Sequence, residues 1–310
     1  MKIVFMGTPQ AAVPSLQKLL TEGHELVAVY TQPDRPAGRG NKLTAPPVKE
    51  FAVENGLPVF QPTKIKTVEA LELFRSHAAD VAVVVAYGRI LPAGFLEAFP
   101  LGAVNVHFSL LPKYRGAAPV NWAIVRGETK TGVTTMRMDA GLDTGDILLQ
   151  SETEIGPEET AVELMTRLSF LGGDLLAATL EKFDEIEPVP QDHAAATLAP
   201  LMKKEDGAID WRRPAGEIVD RVRGFQPFPS SYGFYQGKKL KIWKAAVETV
   251  LESEPSPPGT VLYAKGDQIL VQCGDATIVR LSELQLEGKN RMKTRDFLNG
   301  VKLAAGETLN

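Results

Sequence analysis

Apolar runs alternate with amphipathic segments through the first half of the chain. Runs rich in β-branched residues predict strands, and apolar residues at i, i+3 and i+4 spacing predict helices between them. The predicted strands are residues 2–7, 25–31, 57–61, 80–88, 102–108 and 132–138, and the predicted helices are 14–22, 48–56 and 161–183. Strands that are separated by helices pair in parallel and are covered on both faces. The pattern therefore predicts an α/β fold with a Rossmann-like, mostly parallel sheet.

The pattern changes beyond residue 183. Residues 184–206 hold three prolines and mixed charge without a sustained period, which predicts a connecting segment, and a helix is expected over 214–225. Short strands with turn signals follow, which is typical of a small β-barrel of the oligonucleotide-binding (OB) type. We therefore expect a catalytic domain at 1–189, a linker at 190–206 and an OB-like domain at 207–310.

Composition excludes several classes of protein. Apolar residues make up 44% and charged residues 23% of the 310 residues, which is ordinary for a globular protein. No apolar run is long enough to cross a bilayer, and the opening "MKIVFMGTPQ" does not have the pattern of a signal peptide. With one cysteine, Cys273, the chain can form neither an internal disulfide nor a thiolate metal site. We therefore expect a cytoplasmic protein without a bound metal.

Charge is distributed unevenly. Residues 1–206 hold 19 Lys and Arg against 26 Asp and Glu, whereas residues 207–310 hold 15 against 12. An acidic part joined to a mildly basic part suggests two modules with different partners, although chance variation can produce a difference of this size.

The first predicted strand does not lead into a dinucleotide site. It is followed by "GTPQAAVP", which has no G-x-G-x-x-G spacing and places a proline where the helix would pack. The sheet is therefore expected to serve another ligand.

An amide and an imidazole stand at the end of the strand predicted at 102–108. Asn105 and His107 lie two residues apart and so face the same side of an extended chain. The loop "DAGLDTGDIL" (139–148), with Asp139, Asp143 and Asp146, follows the strand 132–138. If that strand runs parallel to its neighbour, the loop brings a carboxylate beside the imidazole.

These residue types suit a direct transfer reaction. The amide and imidazole can donate hydrogen bonds to a developing oxyanion, and the carboxylate can orient the imidazole. Since no Ser or Cys nucleophile accompanies them, the substrate would bring its own, such as an amine attacking an acyl or formyl carbon. Hydrogen-bonding core residues and a solvated turn remain alternative interpretations. The four histidines, at 24, 77, 107 and 193, show no metal-ligand spacing.

Three linked motifs resemble those of the folate-dependent formyltransferase family. They are Asn105-x-His107, "SLLPKYRGAAPVNWAI" (109–124) and "DAGLDTGDIL", in that order. The resemblance implies that Asn105, His107 and Asp143 form the catalytic trio. Phe108 departs from the family pattern, which usually has a small residue or proline after the histidine.

The resemblance extends over almost the whole chain, and it is strongest to members that formylate initiator methionyl-tRNA. It includes "MGTPQAAVPSL", "AYGRILP" (86–92), "PFPSSY" and "TRDFLNG". It implies 10-formyltetrahydrofolate as the formyl donor, with no metal. The folate contacts that we expect are Ser109, Leu110, Leu111, Pro112, Tyr87, Ile90, Leu91 and Asp139.

The resemblance also implies tRNA contacts. Residues 34–45 resemble a loop that enters the end of the acceptor stem, where Arg39 and Lys42 would contact phosphates or unpaired bases. Lys238, Lys239 and Lys241 would hold the tRNA body by its phosphates. Without the resemblance, a flexible surface loop is the favoured interpretation of residues 34–45, and a solvated strand face is the alternative for the lysines.

We therefore expect a monomeric transferase that formylates the α-amino group of methionine on initiator tRNA. Formyl transfer to a small amine is the alternative enzyme. A non-catalytic RNA-binding protein that keeps the sheet as a scaffold is the alternative outside enzymes, and the intact trio argues against it.

Overall fold

The computed structural model describes residues 1–37, 40, 42–249 and 256–310. They form two compact units. The first comprises Met1–Pro119, Lys130–Glu154 and Met165–Ala199, and the second comprises Val120–Thr129, Ile155–Leu164 and Pro200–Asn310. The expected domain boundaries, at residues 189 and 207, divide the chain into continuous domains. They stay predictions, because the two compact units are discontinuous in sequence. Among the described helices, none has the length and apolar character that crossing a bilayer requires.

A seven-stranded sheet organises the described part of the first unit. Up to residue 199 the strands are β1 (Lys2–Gly7), β2 (Glu25–Tyr30), β3 (Arg35–Ala37), β4 (Lys42–Thr44), β5 (Val59–Phe60), β6 (Val81–Val85), β7 (Ala103–His107), β8 (Arg115–Gly116), β9 (Lys130–Arg137), β10 (Ile147–Glu154) and β11 (Leu198–Ala199). The large sheet has the order β10-β9-β7-β6-β1-β2-β5, and β3 with β4 and β8 with β11 form separate pairs.

Helices connect these strands, and those at 13–21, 47–54 and 161–181 match the three helices that the apolar periodicity predicts. They are α1 (Val13–Thr21), α2 (Pro47–Glu54), α3 (Val68–Ser76), α4 (Ala93–Leu96), α5 (Pro119–Val125) and α6 (Ala161–Glu181). Strands β6 and β7 are buried along their whole length, which explains why both read as continuous apolar runs. The predicted α/β fold with a mostly parallel sheet is confirmed.

One feature of the sheet differs from the expectation. Strands β1, β2, β5, β6 and β7 pair in parallel, but β9 runs antiparallel to β7, and β10 runs antiparallel to β9. The carboxyl end of β9 therefore lies beside the start of β7, with the Met138 amide donating to the Ala103 carbonyl at 2.8 Å. The premise that parallel strand ends bring Asp143 to His107 is wrong, and the loop after β9 makes the approach in another way.

The two faces of β7 have different roles. Val104 and Val106 alternate with Ala103, Asn105 and His107, so the apolar and polar side chains separate onto opposite faces. Ala103 belongs to a buried cluster that includes Val84, Tyr87 and Phe95, and Met138 packs against this cluster. The loop after β9 thus returns over the face of the sheet that carries the amide and the imidazole.

The second unit contains an antiparallel sheet. Its further elements are α7 (Ala215–Gly224), β12 (Ser231–Tyr235), β13 (Lys238–Glu248), β14 (Val261–Lys265), β15 (Gln268–Gln272), β16 (Ile278–Leu286), β17 (Met292–Lys293) and α8 (Thr294–Gly300). The order is β12-β13-β16-β15-β14, with β17 on β16. β12 and β14 do not pair, but residues 307–310 hydrogen-bond to Gly259 and Val261 on one side and to Phe234 on the other. This confirms the predicted β-sheet unit, which resembles an OB barrel without strand-to-strand closure.

Candidate active site

Strand β7 presents Asn105 and His107 on one face of the sheet. Both side chains are almost fully buried, at 8% and 6% exposure. Among the described residues, no group hydrogen-bonds to the Asn105 side-chain amide. A nearly buried amide without a protein partner is unusual, because buried polar groups are normally paired. Its N–H groups are free to bind a substrate oxygen.

The orientation of His107 is fixed by a backbone carbonyl. Nε2 lies 3.0 Å from the carbonyl oxygen of Tyr114. Because a carbonyl only accepts, Nε2 carries a proton and donates it in this bond. The neutral ring then has its lone pair on Nδ1. Nδ1 is therefore the atom that can take up or give a proton at the site.

A carboxylate faces that atom. Asp143 Oδ2 lies 3.7 Å from His107 Nδ1, and the Asp143 side chain is 16% exposed. The same oxygen accepts a hydrogen bond of 2.8 Å from the Gly116 amide. The carboxylate therefore lies on the side of the ring whose nitrogen is left open by the Tyr114 contact.

Backbone strain marks the two segments that hold this pair. Tyr114 and Asp143 both have positive φ, 63° and 52°, which costs about 1 kcal/mol or more for a residue with a side chain. The amide of Tyr114 is held by Thr197 Oγ1 at 2.9 Å. Gly116 has a φ of 124°, and a Cβ there would lie 2.6 Å from the Ala199 carbonyl oxygen. Only glycine fits this position, where β8 lies against β11.

Two polar side chains brace the loop that follows His107. Thr134 Oγ1 donates to the Ser109 carbonyl at 2.7 Å and accepts from the Leu111 amide at 3.1 Å. Gln150 Nε2 donates to both the Leu111 carbonyl and Thr134 Oγ1, at 2.9 Å each. Ser109 and Leu111 are buried, and Ser109 Oγ donates to the Lys113 carbonyl at 2.7 Å. The segment Ser109–Pro112 is therefore firmly held by β9 and β10.

A cavity of about 590 Å³ opens on the same face of the sheet. It is lined by Ala103 of β7, two residues before Asn105, and by Arg137 to Ala140 at the start of the loop that carries Asp143. Leu96, Phe99 and Met138 make its wall apolar, while Glu97 and Asp139 contribute charge. This lining suits a flat heteroaromatic ring with polar edges.

Of the residues expected to contact folate, only Asp139 is in the lining of this cavity. Asp139 lines it and accepts hydrogen bonds from the Gly141 amide and Thr144 Oγ1. Tyr87 and Leu91 are buried in the cluster that supplies the cavity wall. Ile90 is 75% exposed and belongs to a second cavity with Lys64, Lys66 and Arg89. Ser109, Leu110, Leu111 and Pro112 are not part of either cavity lining, and their folate contacts stay predictions.

The residues expected to contact tRNA lie elsewhere. Arg39 falls outside the described residues. Lys42 is an exposed residue of β4. Lys238, Lys239 and Lys241 belong to β13, with Leu240 and Ile242 buried between and beyond them, and Lys239 Nζ lies 3.8 Å from the centre of the Tyr232 ring. Basic and aromatic side chains thus share the outward face of β12 and β13. Among the described residues, no group of three or more metal-binding side chains is present.

Sequence patterns did not reveal the groups that orient the trio. The Tyr114 carbonyl and the Gly116 amide act through the backbone, which leaves no mark in the side-chain pattern. Gln191, whose amide donates to the carbonyls of Asp143 and Gly145, lies in the segment expected to be a linker. The available signal was Gly116, since a glycine in a loop can indicate a required positive φ.

Comparison with known families shows which protein family the chain belongs to. A family model described as formyl transferase matches residues 1–180, and one described as formyl transferase, C-terminal domain, matches residues 201–302. The chain belongs to the formyl transferase family. This membership confirms the prediction made from the three motifs.

Formyl transferases of similar sequence match the whole chain. A methionyl-tRNA formyltransferase of Solibacter usitatus is 50% identical over 311 residues, covering 100% of this chain and 98% of the relative. A methionyl-tRNA formyltransferase of Alkaliphilus oremlandii is 48% identical, covering 100% and 99%.

Solved structures of formyl transferases share the fold. A methionyl-tRNA formyltransferase from Clostridium thermocellum has a TM-score of 0.58 at 21% identity, covering 80% of this chain and 94% of that chain. WlaRD, a sugar 3N-formyl transferase in the presence of dTDP and 5-N-formyl-THF, has a TM-score of 0.67 at 20% identity, covering 94% and 99%. At these identities the likeness concerns the fold.

Proposed function

We propose that this chain transfers a formyl group from 10-formyltetrahydrofolate to the α-amino group of methionine on initiator methionyl-tRNA. The observation that carries the proposal is the identity of about half the residues, over the full length, with relatives named methionyl-tRNA formyltransferase. The buried group of Asn105, His107 and Asp143 supplies the chemistry that such a transfer needs.

The formyl donor fits the cavity beside this group. Apolar walls from Leu96, Phe99 and Met138 suit the faces of a pteridine ring, and the backbone and side chain of Asp139 suit its polar edge. When bound, 10-formyltetrahydrofolate supplies the formyl carbon and a nitrogen that takes up a proton on release. Residues Arg137 to Ala140 lie at the start of the loop that carries Asp143, so the same loop would serve binding and chemistry.

Each member of the trio has a distinct role. The free N–H groups of Asn105 donate to the formyl oxygen as the methionine amine attacks and negative charge develops there. His107, protonated on Nδ1, donates to the same oxygen or returns the proton to the leaving nitrogen. Asp143 stabilises the imidazolium, accepts the proton that the attacking amine loses, and returns it to Nδ1 after His107 has given its own proton to the leaving nitrogen. The amine–carbon bond replaces the folate–carbon bond, and one proton passes from amine to folate, so atoms and charge balance.

The second unit would hold the tRNA. Lys239 and Lys241 on β13 alternate with the buried Leu240 and Ile242, and the exposed Lys238 begins the strand. Lys42 and Arg39 would act at the acceptor end. We retain the division into a catalytic domain at 1–189, a linker at 190–206 and a tRNA-binding domain at 207–310. We also propose a monomer in the cytoplasm, where a single buried cysteine would stay reduced.

The test is formylation of initiator and elongator methionyl-tRNA, side by side, with 10-formyltetrahydrofolate as donor. The proposal expects rapid formylation of the initiator and little of the elongator. A set of small amines, including amino sugars, forms a third arm. Formylation of a small amine in place of tRNA would overturn the proposal, and so would binding of tRNA without formyl transfer.

A further inference from the structure

Backbone groups on either side of one buried residue bind His107 and Asp143. Tyr114 accepts from His107 Nε2 through its carbonyl, and Gly116 donates to Asp143 Oδ2 through its amide. Arg115 is the residue between, and only 6% of it is exposed. Among the described residues, no carboxylate lies within ion-pair distance of its guanidinium. A buried cation without a carboxylate needs an explanation, since burial of a charge is costly.

The guanidinium is bound by two neutral side chains. Arg115 donates to Gln191 Oε1 from Nε at 3.0 Å and from Nη2 at 2.6 Å. Nη1 and Nη2 both donate to His193 Nδ1 at 3.2 Å. The planar fork thus orients the Gln191 amide with its oxygen toward the arginine.

The other end of Gln191 binds the loop that carries Asp143. Its Nε2 donates to the Asp143 carbonyl at 3.0 Å and to the Gly145 carbonyl at 2.7 Å. Gln191 is itself 6% exposed. Its orientation is unambiguous, because the guanidinium only donates and the two carbonyls only accept. One amide therefore joins the segment 114–116 to the backbone of the residue that faces His107.

We propose that Gln191, oriented by Arg115, is a positioning residue that sets the distance between Asp143 and His107. Neither residue touches the reacting atoms. Their contacts converge on the two segments with positive φ, at Tyr114 and Asp143, whose conformation must be held by surrounding bonds. A neutral amide is required here, because a carboxylate could bind Arg115 but could not donate to the two carbonyls. The proposal rests on the proposed formyl transfer.

The decisive variants are Gln191→Leu and Gln191→Glu. The first variant loses the hydrogen bonds of Gln191 both to Arg115 and to the carbonyls of Asp143 and Gly145. The second keeps the shape and gives Arg115 a carboxylate, so it preserves folding while it removes the two donors to the loop. We expect kcat to fall at least tenfold in both, with KM for 10-formyltetrahydrofolate within twofold of the wild-type value. Arg115→Lys, which keeps the charge but loses the fork, should show a smaller loss than Arg115→Met.

The control is Gln272→Leu in the second unit. Gln272 is also buried, and its Nε2 also donates to two backbone carbonyls, of Cys273 and Thr277. Its loss should lower the melting temperature comparably and leave kcat unchanged, so a purely structural effect is separated from positioning.

A double-mutant cycle with Asp143→Ala completes the test. If Gln191 acts through Asp143, Gln191→Leu should cause little further loss of kcat once the carboxylate is gone. If the losses of Gln191→Leu and Asp143→Ala multiply in the double variant, the positioning role is overturned while the proposed function stands. Wild-type kcat in both Gln191 variants would have the same consequence. Wild-type turnover in Asp143→Ala alone would overturn the proposed function and the positioning role together.

Discussion

His107 Nδ1 faces Asp143 Oδ2 at 3.7 Å, although Asp143 follows a strand that runs antiparallel to the one carrying His107. The loop after β9 starts beside Ala103 and returns along the sheet to reach the imidazole. Since the opposite ring nitrogen is bound by the Tyr114 carbonyl, proton exchange is confined to the side on which the carboxylate lies. His107 and Asp143 therefore form one geometric unit, although they belong to two separate sequence motifs.

Loss of any trio side chain should abolish most activity. Asn105→Ala, His107→Ala and Asp143→Ala should each reduce kcat for formyl transfer by about a hundredfold or more, because each removes charge stabilisation or proton transfer in the transition state. Steady-state kinetics with circular dichroism as a folding check provides the measurement. Asp146→Ala, in the same loop, is the matched control and should stay within a few-fold of wild type. Near-normal turnover in two of the three trio variants would refute the mechanism.

Gly116→Ala should damage both stability and activity. The added Cβ would lie 2.6 Å from the Ala199 carbonyl oxygen, and φ is 124°. We expect a loss of about 2 kcal/mol or more in the free energy of unfolding, together with a reduced kcat, since the Gly116 amide binds Asp143. Gly23→Ala is the control, because its φ is also positive but nothing lies within 4 Å. Gly23→Ala should lower the free energy of unfolding by about 1 kcal/mol. Equal losses for the two variants in chemical denaturation would contradict the steric argument.

Filling the cavity should weaken binding of the donor alone. Ala103 lines the cavity, whereas Ala82, its partner on β6, belongs to the same buried cluster without lining it. Ala103→Val should raise KM for 10-formyltetrahydrofolate by about tenfold, because about two methyl groups displace ligand contacts. KM for methionyl-tRNA should be unchanged. Ala82→Val overpacks the same layer and should leave both constants near wild type; an equal rise there would show that the effect is general strain.

The β13 lysines should contribute to tRNA binding in a salt-dependent way. Replacing Lys239 and Lys241 by alanine should weaken tRNA binding about tenfold at moderate salt. It should also lower the slope of log K against log salt by about two, one for each lost phosphate contact. Fluorescence titrations over a range of salt concentrations measure both. Lys265 and Lys302, in the same unit, give the control pair. An unchanged slope in the β13 variant would mean that these lysines are only a solvated strand face.

Cys273 should be chemically inert in the folded protein. Its side chain is 2% exposed, and burial raises the pKa of the thiol to about 12. At pH 8 the thiol therefore stays protonated and does not attack an alkylating reagent. Iodoacetamide should leave the native protein unmodified by mass spectrometry and add one group after unfolding. Rapid modification of the native protein would show that the C-terminal sheet opens readily.

Much of the fold could be predicted because its signals are local. Strands β6 and β7 are continuous apolar runs, and α6 has a regular apolar period, so each element can be predicted from its own residues alone. The direction of β9 could not be predicted in this way. A strand that is buried on both faces has the same pattern whether its neighbour runs parallel or antiparallel.

The sequence by itself identified the side chains that we propose for the chemistry. Asn105 and His107 share a face because a strand has a period of two, and the glycine-containing loop after β9 supplies an acid whatever the sheet direction. Only the tertiary structure showed how Asp143, which the resemblance implied, comes to face the imidazole, and that Nδ1 is the ring nitrogen on that side. Both depend on backbone groups at Tyr114 and Gly116 and on a glutamine 48 residues beyond Asp143. A backbone carbonyl is the same for every residue, so contacts of this kind exist only once the chain has folded.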